Sequence, residues 1–410
     1  MEKPRYIPHD GSFLSFDPEK EIPYHLSHLV TEYPPTLATF TFEDPDALEN
    51  NFLGLFAGPI SVAYGLFFLS LPACSYASIP IQGKVPLEWA KDYLAVSASM
   101  GAANPKLILP VTSAECGIMT HRLAFPAVSA VITKDIKYVK DLISYLPAVL
   151  ADPADGSPPN DEELYGRAGY LYLLRLVIAH VPSATSLIPP SAVPDIIDAM
   201  LRRSPDSQHP WRFFDRLFLG LGHGWLAVVS QILLSDPSSI RAKEARPWVI
   251  RMISEQLPSG QWNRYVNVPE FEGMQSSAFM QIGHGAPGMI LGLLAIRPVY
   301  ERVGDDEICA SIDKAVVKAQ DIVWERGILT KETCLSHGAA GNSIVLLDPR
   351  RKATFLAKSV LNVTRAGLAD GSVEASSSPS GLHRGLIGVI LAMWEYQQGR
   401  TGHFPSFNDV

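Results

Sequence analysis

One recurring device constrains this chain more than any other feature: a polar turn ending in glycine, followed at once by a largely apolar run of helix length. It is clearest in QIGHGAPGMILGLLAI (Gln281 to Ile296). The pattern returns in LYGRAGYLYLLRLVI (Leu164 to Ile178), GLGHGWLAVVSQILL (Gly220 to Leu234), LSHGAAGNSIVLL (Leu335 to Leu347) and SGLHRGLIGVILAMW (Ser380 to Trp394). Degenerate copies at Gly54 to Leu69 and Cys116 to Ile132 bring the count to seven. Aligned on Gly166, Gly224, Gly285, Gly338 and Gly385, the copies repeat every roughly 50 to 60 residues, which leaves room for a second helix in each.

That second helix is visible between copies. From Asp135 to Leu150, Ile136, Val139, Leu142, Ile143 and Leu146 fall at i, i+3, i+4 spacing opposite Lys and Asp, the pattern of an amphipathic surface helix. Ile308 to Trp324 and Ala353 to Val363 read the same way. A helix apolar all round must be buried. Seven charged outer helices alternating with seven apolar inner ones therefore predict an all-α toroid of helical hairpins, with the glycine turns gathered at one end. Residues 1–50, rich in Pro and aromatics, are expected to strap across the outside, and 51–410 to form the toroid as one domain.

Composition narrows the function. An apolar content of 47% with 19% charged residues describes a well-cored globular chain, and a net charge of -8 with no basic cluster excludes a nucleic-acid partner. The N-terminus has no apolar secretory region, so a cytosolic address is expected. Residues 51–83 carry no charge and are long enough to span a membrane. Gly54, Gly58, Pro59, Gly65 and Pro72 interrupt them in register with the repeat, and they are read as an inner helix instead. Four cysteines without paired spacing give neither a CxxC metal site nor a disulfide framework. No P-loop and no strand-associated glycine fingerprint is present, so no nucleotide cofactor is expected. Nothing in these features specifies an oligomeric state.

Convergent turns would bring their side chains together, and four of the turns carry histidine: His223, His284, His337 and His383. Imidazole titrates nearest neutrality and serves as acid, base or metal ligand. A lone His before Gly is more simply a turn-bonding residue; three in one repeat frame (His223, His284, His337) favour a shared site. Asp161 and Glu162, ahead of the Gly166 turn, are either partners of that site or a solvated helix start. Arg167 and Arg384 could bind an anionic group or form salt bridges. Trp225 reads first as packing and second as pocket lining, Cys116 as a buried small hydrophobe, and Tyr165 and Ser336 complete the substrate-facing set. The loops 258–277 and 369–379 flank the same mouth as lids, the second small, polar and mobile in composition.

GHGAPGM, SHGAAGN and LYGRAGYLY resemble the lanthionine synthetase C-like proteins, the eukaryotic ones in particular, and the closing HFPSFND is similar to their C-terminus. The resemblance runs over about residues 50 to 410. It implies an (α/α) toroid of seven inner and seven outer helices. It also implies a mouth zinc held by Cys, Cys and His, which activates a thiol for addition to dehydrated Ser or Thr. The thiol is peptide cysteine in bacterial cyclases and glutathione in eukaryotic relatives. The chain departs from that pattern where the zinc would sit. Where the family reads Trp-Cys-His-Gly this chain has Ile282-Gly283-His284-Gly285, and where it reads Cys-His-Gly the chain has Ser336-His337-Gly338. Of the three implied ligands only His337 remains, and a hydroxyl is a poor substitute for thiolate toward a borderline-soft ion. Cys334 and His383 are the substitutes at hand. His223 matches the family's acid/base histidine.

These readings predict a metal-free enzyme without cofactor. His223 and His337 would act as acid and base, His284 would polarise and His383 support, in a cyclisation, dehydration, isomerisation or conjugate addition on a small organic substrate. The alternatives are a non-catalytic binding or scaffold protein, and zinc-dependent thiol addition through substitute ligands.

Overall fold

The computed structural model describes residues 5–154, 156–204, 206–207, 211–266 and 278–410. Seven inner helices follow the seven turns: Pro59–Leu69, His121–Thr133, Arg167–His180, Trp225–Ser235, Ala286–Val303, Ala339–Ile344 and Leu386–Gln397. Every residue of Pro59–Leu69 is buried, as its charge-free sequence demands. Each of the first four inner helices packs on the next, the fifth turn is tied to the sixth by Gly283 N–H to Ser336 O, Ala339–Ile344 packs on Leu386–Gln397, and Leu386–Gln397 returns to Pro59–Leu69. The chain thus closes on itself as an all-α toroid. Isolated bridges are the only β pairing among the described residues, and none of the helices there is long and apolar enough to cross a membrane.

The outer layer corrects two expectations. Within the N-terminal strap lies the helix Pro18–Glu32, capped by Asp17, whose side chain accepts from the Glu19 and Lys20 N–H groups. It buries Ile22, His25, Leu26, Leu29 and Val30 and packs on Leu386–Gln397. The outer partner of the last inner helix therefore comes from the start of the chain. The His25 ring fixes this docking by joining the Glu21 carbonyl (2.7 Å) and accepting the Leu361 N–H (3.1 Å). Neither long outer helix expected over 135–150 and 353–363 is continuous: the first is Ile136–Ile143 and Leu146–Leu150, the second Pro349–Ala357 and Leu361–Asp370.

The repeat motif has a steric cause. A methyl at Gly169, Gly288, Gly341 or Gly388 would lie within 2.1 Å of the carbonyl oxygen of Glu163, Ile282, Leu335 or Leu382, six residues back in each case. The second glycine of each G-x-x-G lets its turn fold onto the first helical turn, which is why the pattern recurs. The N-cap Gly285 sits at φ +97, a left-handed backbone that glycine tolerates without strain.

Candidate active site

The turns are stitched to one another by main-chain hydrogen bonds. Leu55 N–H donates to Ile118 O, and Ile118 N–H to Glu163 O; Gly222 N–H donates to Gly283 O, Gly283 N–H to Ser336 O, Ser336 N–H to His383 O, and His383 N–H to Phe56 O. This belt runs around the mouth from the fourth turn through the seventh and on to the third. The remaining step, third to fourth, is bridged by side chains: His223 Nδ1 lies 3.3 Å from Glu162 Oε2. Glu162 is held in turn by the N–H groups of Leu164 (2.9 Å) and Tyr165.

The belt encloses a cavity of about 270 Å³ whose lining includes all four turn histidines, Tyr165, Glu163, Gln281, Ser336 and Ser406 among apolar walls such as Phe56, Ile118, Leu221, Ile282 and Phe404. His223 occupies a left-handed conformation (φ 65) and stacks on Phe213 at 4.2 Å. With Nδ1 on a carboxylate, its Nε2 is the nitrogen free to exchange a proton. His284 is 9% exposed, its Nδ1 has no hydrogen-bond partner among the described residues, and burial followed by the charge of Arg264 lowers its pKa to about 3. His383 is sandwiched between hydroxyls, Nδ1 to Ser336 Oγ and Nε2 to Ser406 Oγ, both 2.8 Å, and stacks on Phe56. Burial, then His337, lowers it to about 3. His337 is likewise lowered to about 3 by burial and then by Lys331 and Arg384. A ring that resists protonation so strongly is a hydrogen-bonding and polarising group at neutral pH, and a poor acid/base partner for His223.

Other expected residues lie elsewhere. Arg167 does not line the cavity: its guanidinium is buried on Asp161 (3.2 Å) and the Val149 carbonyl (2.9 Å). Trp225 is also absent from the lining, its indole N–H given to Trp211 O. Arg384 holds Glu332 (2.8 and 2.9 Å) and lines a neighbouring cavity behind the mouth. Cys116 is buried and has its thiol pushed up by desolvation. Of the first lid, residues 267–277 lie outside the described residues. The second is pinned, with Ser376 Oγ donating to Arg384 O (2.6 Å) and Glu374 N–H to Thr330 O.

At the three positions that the resemblance equates with zinc ligands, the side chains are a hydrogen (Gly283), a hydroxyl bonded to His383 (Ser336) and an imidazole (His337). Glu332, Cys334 and His337 do offer one donor atom each within 4.8 Å of one another. Glu332 is already paired with Arg384, and the Cys334 sulfur accepts the His337 N–H (3.4 Å) with its thiol pushed up to about 12 by burial. This is a neutral thiol beside an ion-paired carboxylate, unlike a pair of thiolates.

Reading the sequence did not single out Glu163, since three consecutive carboxylates give no sign of which one turns inward. It also missed the tail, where Phe404, Ser406 and Phe407 complete the cavity wall; no local pattern shows where a terminal segment docks.

Residues 110–408 match the family model described as lanthionine synthetase C-like protein. Glutathione S-transferase LANCL1 of Danio rerio is 25% identical over 271 residues, 60% of this chain; the chain spans 62% of that relative's length. The solved structure of nisin cyclase superposes with a TM-score of 0.60 at 14% identity, covering 93% of this chain and 96% of its own. With the family model matching well over half of its length and the helical fold shared with nisin cyclase, the chain belongs to the lanthionine synthetase C-like family.

Proposed function

We propose that this protein is an enzyme that performs proton-transfer chemistry on a small, mainly apolar organic substrate, without zinc. The observation that carries the reading is His223 backed by Glu162 at the edge of a cavity into which three further turns deliver neutral imidazoles. Glu162 orients the His223 ring and fixes its tautomer with Nε2 as the acceptor, so His223 is the general base. His284 and His337 polarise a carbonyl or enone oxygen by N–H donation, as neutral imidazoles can. His383, held between two hydroxyls, keeps Ser336 oriented.

Two features argue against thiol addition as practised in the family. Gly283 and Ser336 supply no thiolate, so the zinc donor set does not fit. No Lys or Arg lines the cavity among the described residues, whereas glutathione brings two carboxylates that would need cationic partners. The apolar walls suit a ring or short chain bearing an activated double bond.

The test uses a β,γ-unsaturated cyclic ketone as probe, with its conversion to the conjugated enone followed by absorbance. His223→Ala should lose about 10²- to 10⁴-fold in turnover, the ordinary contribution of a positioned base, and chelators should change nothing. Full activity in His223→Ala, or glutathione addition to a dehydroalanine peptide that chelators abolish, would overturn the reading.

A further inference from the structure

A base needs a matching acid, and the depressed histidines cannot fill that role. Apart from the histidines and the Tyr165 phenol, whose pKa burial raises further, the cavity lining among the described residues offers one acidic side chain: Glu163, 4% exposed, next in sequence to the Glu162 that supports His223. We propose that Glu163 is the proton donor of this site, a neutral carboxylic acid that delivers its proton to the substrate as His223 removes another. The proposal rests on the proton-transfer reading above.

The argument begins with charge. Behind the cavity lie two hydrogen-bonded sets, Glu163 with Gln231 and Arg175, and Asp409 with Tyr64 and Tyr172, which meet where the Arg175 guanidinium lies over the Tyr172 ring. Gln231 Nε2 lies 3.1 Å from both Glu163 oxygens, and its Oε1 accepts from Arg175 Nη2 at 2.6 Å. Arg175 also donates to the carbonyls of Phe407 (2.7 Å) and Val410 (2.8 Å) in the tail, and touches neither carboxyl group. The two sets together have two carboxyl groups and one guanidinium; Glu163 is withdrawn from water, while Asp409 and Arg175 are half-buried. Ionising Glu163 as well as Asp409 would set two carboxylates against one guanidinium with the Glu163 charge out of water, which costs more than binding one proton there.

Hydrogen bonding decides which carboxyl group takes it. Asp409 is surrounded by donors: Tyr64 OH, Tyr172 OH (3.0 Å) and the Ser406 N–H (3.1 Å). Three donors stabilise a carboxylate. Glu163 receives one amide group shared between its two oxygens, and the carboxylate of Glu162 is its neighbour. The proton therefore resides on Glu163, and desolvation by burial pushes it in the same direction. Asp161, Glu115 and His403, the other charged groups nearby, sit on other partners or outside the cavity wall.

In a double-bond shift the balance is simple. His223 takes a proton from the carbon between carbonyl and alkene, the electron pair moves through the enol, and Glu163 gives its proton to the distal carbon. His223 ends as imidazolium and Glu163 as carboxylate, and a proton passing from one to the other through solvent restores both. No external oxidant or reductant enters.

Glu163→Gln keeps the shape and a hydrogen bond to Gln231 but has no acidic proton. Two measurements test the idea on the intact protein. The infrared difference spectrum of parent minus Glu163→Gln should contain a protonated-carboxyl C=O band that shifts in D₂O. Turnover of the ketone probe should fall about 10²- to 10⁴-fold with KM little changed, and Glu163→Asp should recover part of it. If no such band distinguishes the two proteins, or if Glu163→Gln turns over at the parent rate while His223→Ala does not, the assignment of Glu163 is overturned and the base survives. If the parent itself does not convert the probe, the proton-transfer reading falls, and this proposal with it.

Discussion

Acid should unfold this protein over a narrow range of pH, because it folds around histidines that must stay neutral. His25, His121, His284 and His383 are each at least nine-tenths buried. Burial lowers His25 and His121 to about 4 and His284 and His383 to about 3, against about 6.5 in an unfolded chain. The folded pKa lies below the unfolded one, so the unfolded state binds more protons. Their stabilisation is whole above about pH 6.5 and drains away as the pH falls toward 4. Each such proton is worth about 1.4 kcal/mol per pH unit, so four give about 5 kcal/mol per unit.

Two buried carboxyl groups work in the opposite sense. Glu115, raised to about 7 mainly by burial, and Glu163, raised by burial, keep protons in the folded state that an unfolded chain releases above about pH 4.3. Asp161 and Asp409, both raised by burial, add to this side, and His180 and His337, lowered by burial to about 4 and about 3, add to the other. The net uptake on unfolding is about two protons, a loss of about 3 kcal/mol per pH unit between pH 6 and 4.5. A domain stabilised by about 5 to 15 kcal/mol would lose a large share of that by pH 5. Urea unfolding followed by tryptophan fluorescence at pH 7.5, 6.5, 5.5 and 5.0 measures the slope. His25→Gln, which replaces a ring whose two bonds require the neutral form, should reduce it by about 1.4 kcal/mol per unit. Stability that is flat or rising between pH 6.5 and 5 would refute the reasoning.

Two further outcomes follow from the turns. The purified protein should contain no stoichiometric zinc by elemental analysis, whereas Gly283→Cys combined with Ser336→Cys should bind one ion beside His337, because a side chain at Gly283 meets nothing closer than Gln281 Nε2 at 3.6 Å; one tightly held zinc in the parent would instead promote the Glu332, Cys334, His337 cluster. Gly341→Ala, whose methyl would sit 1.7 Å from Leu335 O, should destabilise by about 3 kcal/mol or more in chemical denaturation, while Gly283→Ala should be nearly neutral. Equal effects of the two would discredit the steric account of the repeat.

What the sequence revealed depended on how local its cause was. The inner helices and the convergence of His223, His284, His337 and His383 were legible because a glycine and the apolar residues after it act within one turn of chain. Pro18–Glu32 was not, since its mate Leu386–Gln397 lies at the other end of the sequence and Pro23 and His25 blur its apolar face. The direction of a side chain leaving a helix start was equally hidden: Arg167 turns back onto Asp161 while Tyr165, two residues earlier, faces the cavity. Glu163 became visible only when Gln231, Arg175 and Asp409, from two helices and the tail, were brought around it.

The belt of main-chain hydrogen bonds has a consequence for how such a protein changes over time. Phe56, Gly283, Ser336 and His383 occupy equivalent rungs, yet each rung is held by its peptide group, and the glycines behind it set its path. The side chains are interchangeable inserts in a frame that does not depend on them. A lineage can trade a metal ligand for a hydroxyl, or an imidazole for a phenyl ring, one socket at a time, and reach new chemistry without passing through an unfolded ancestor.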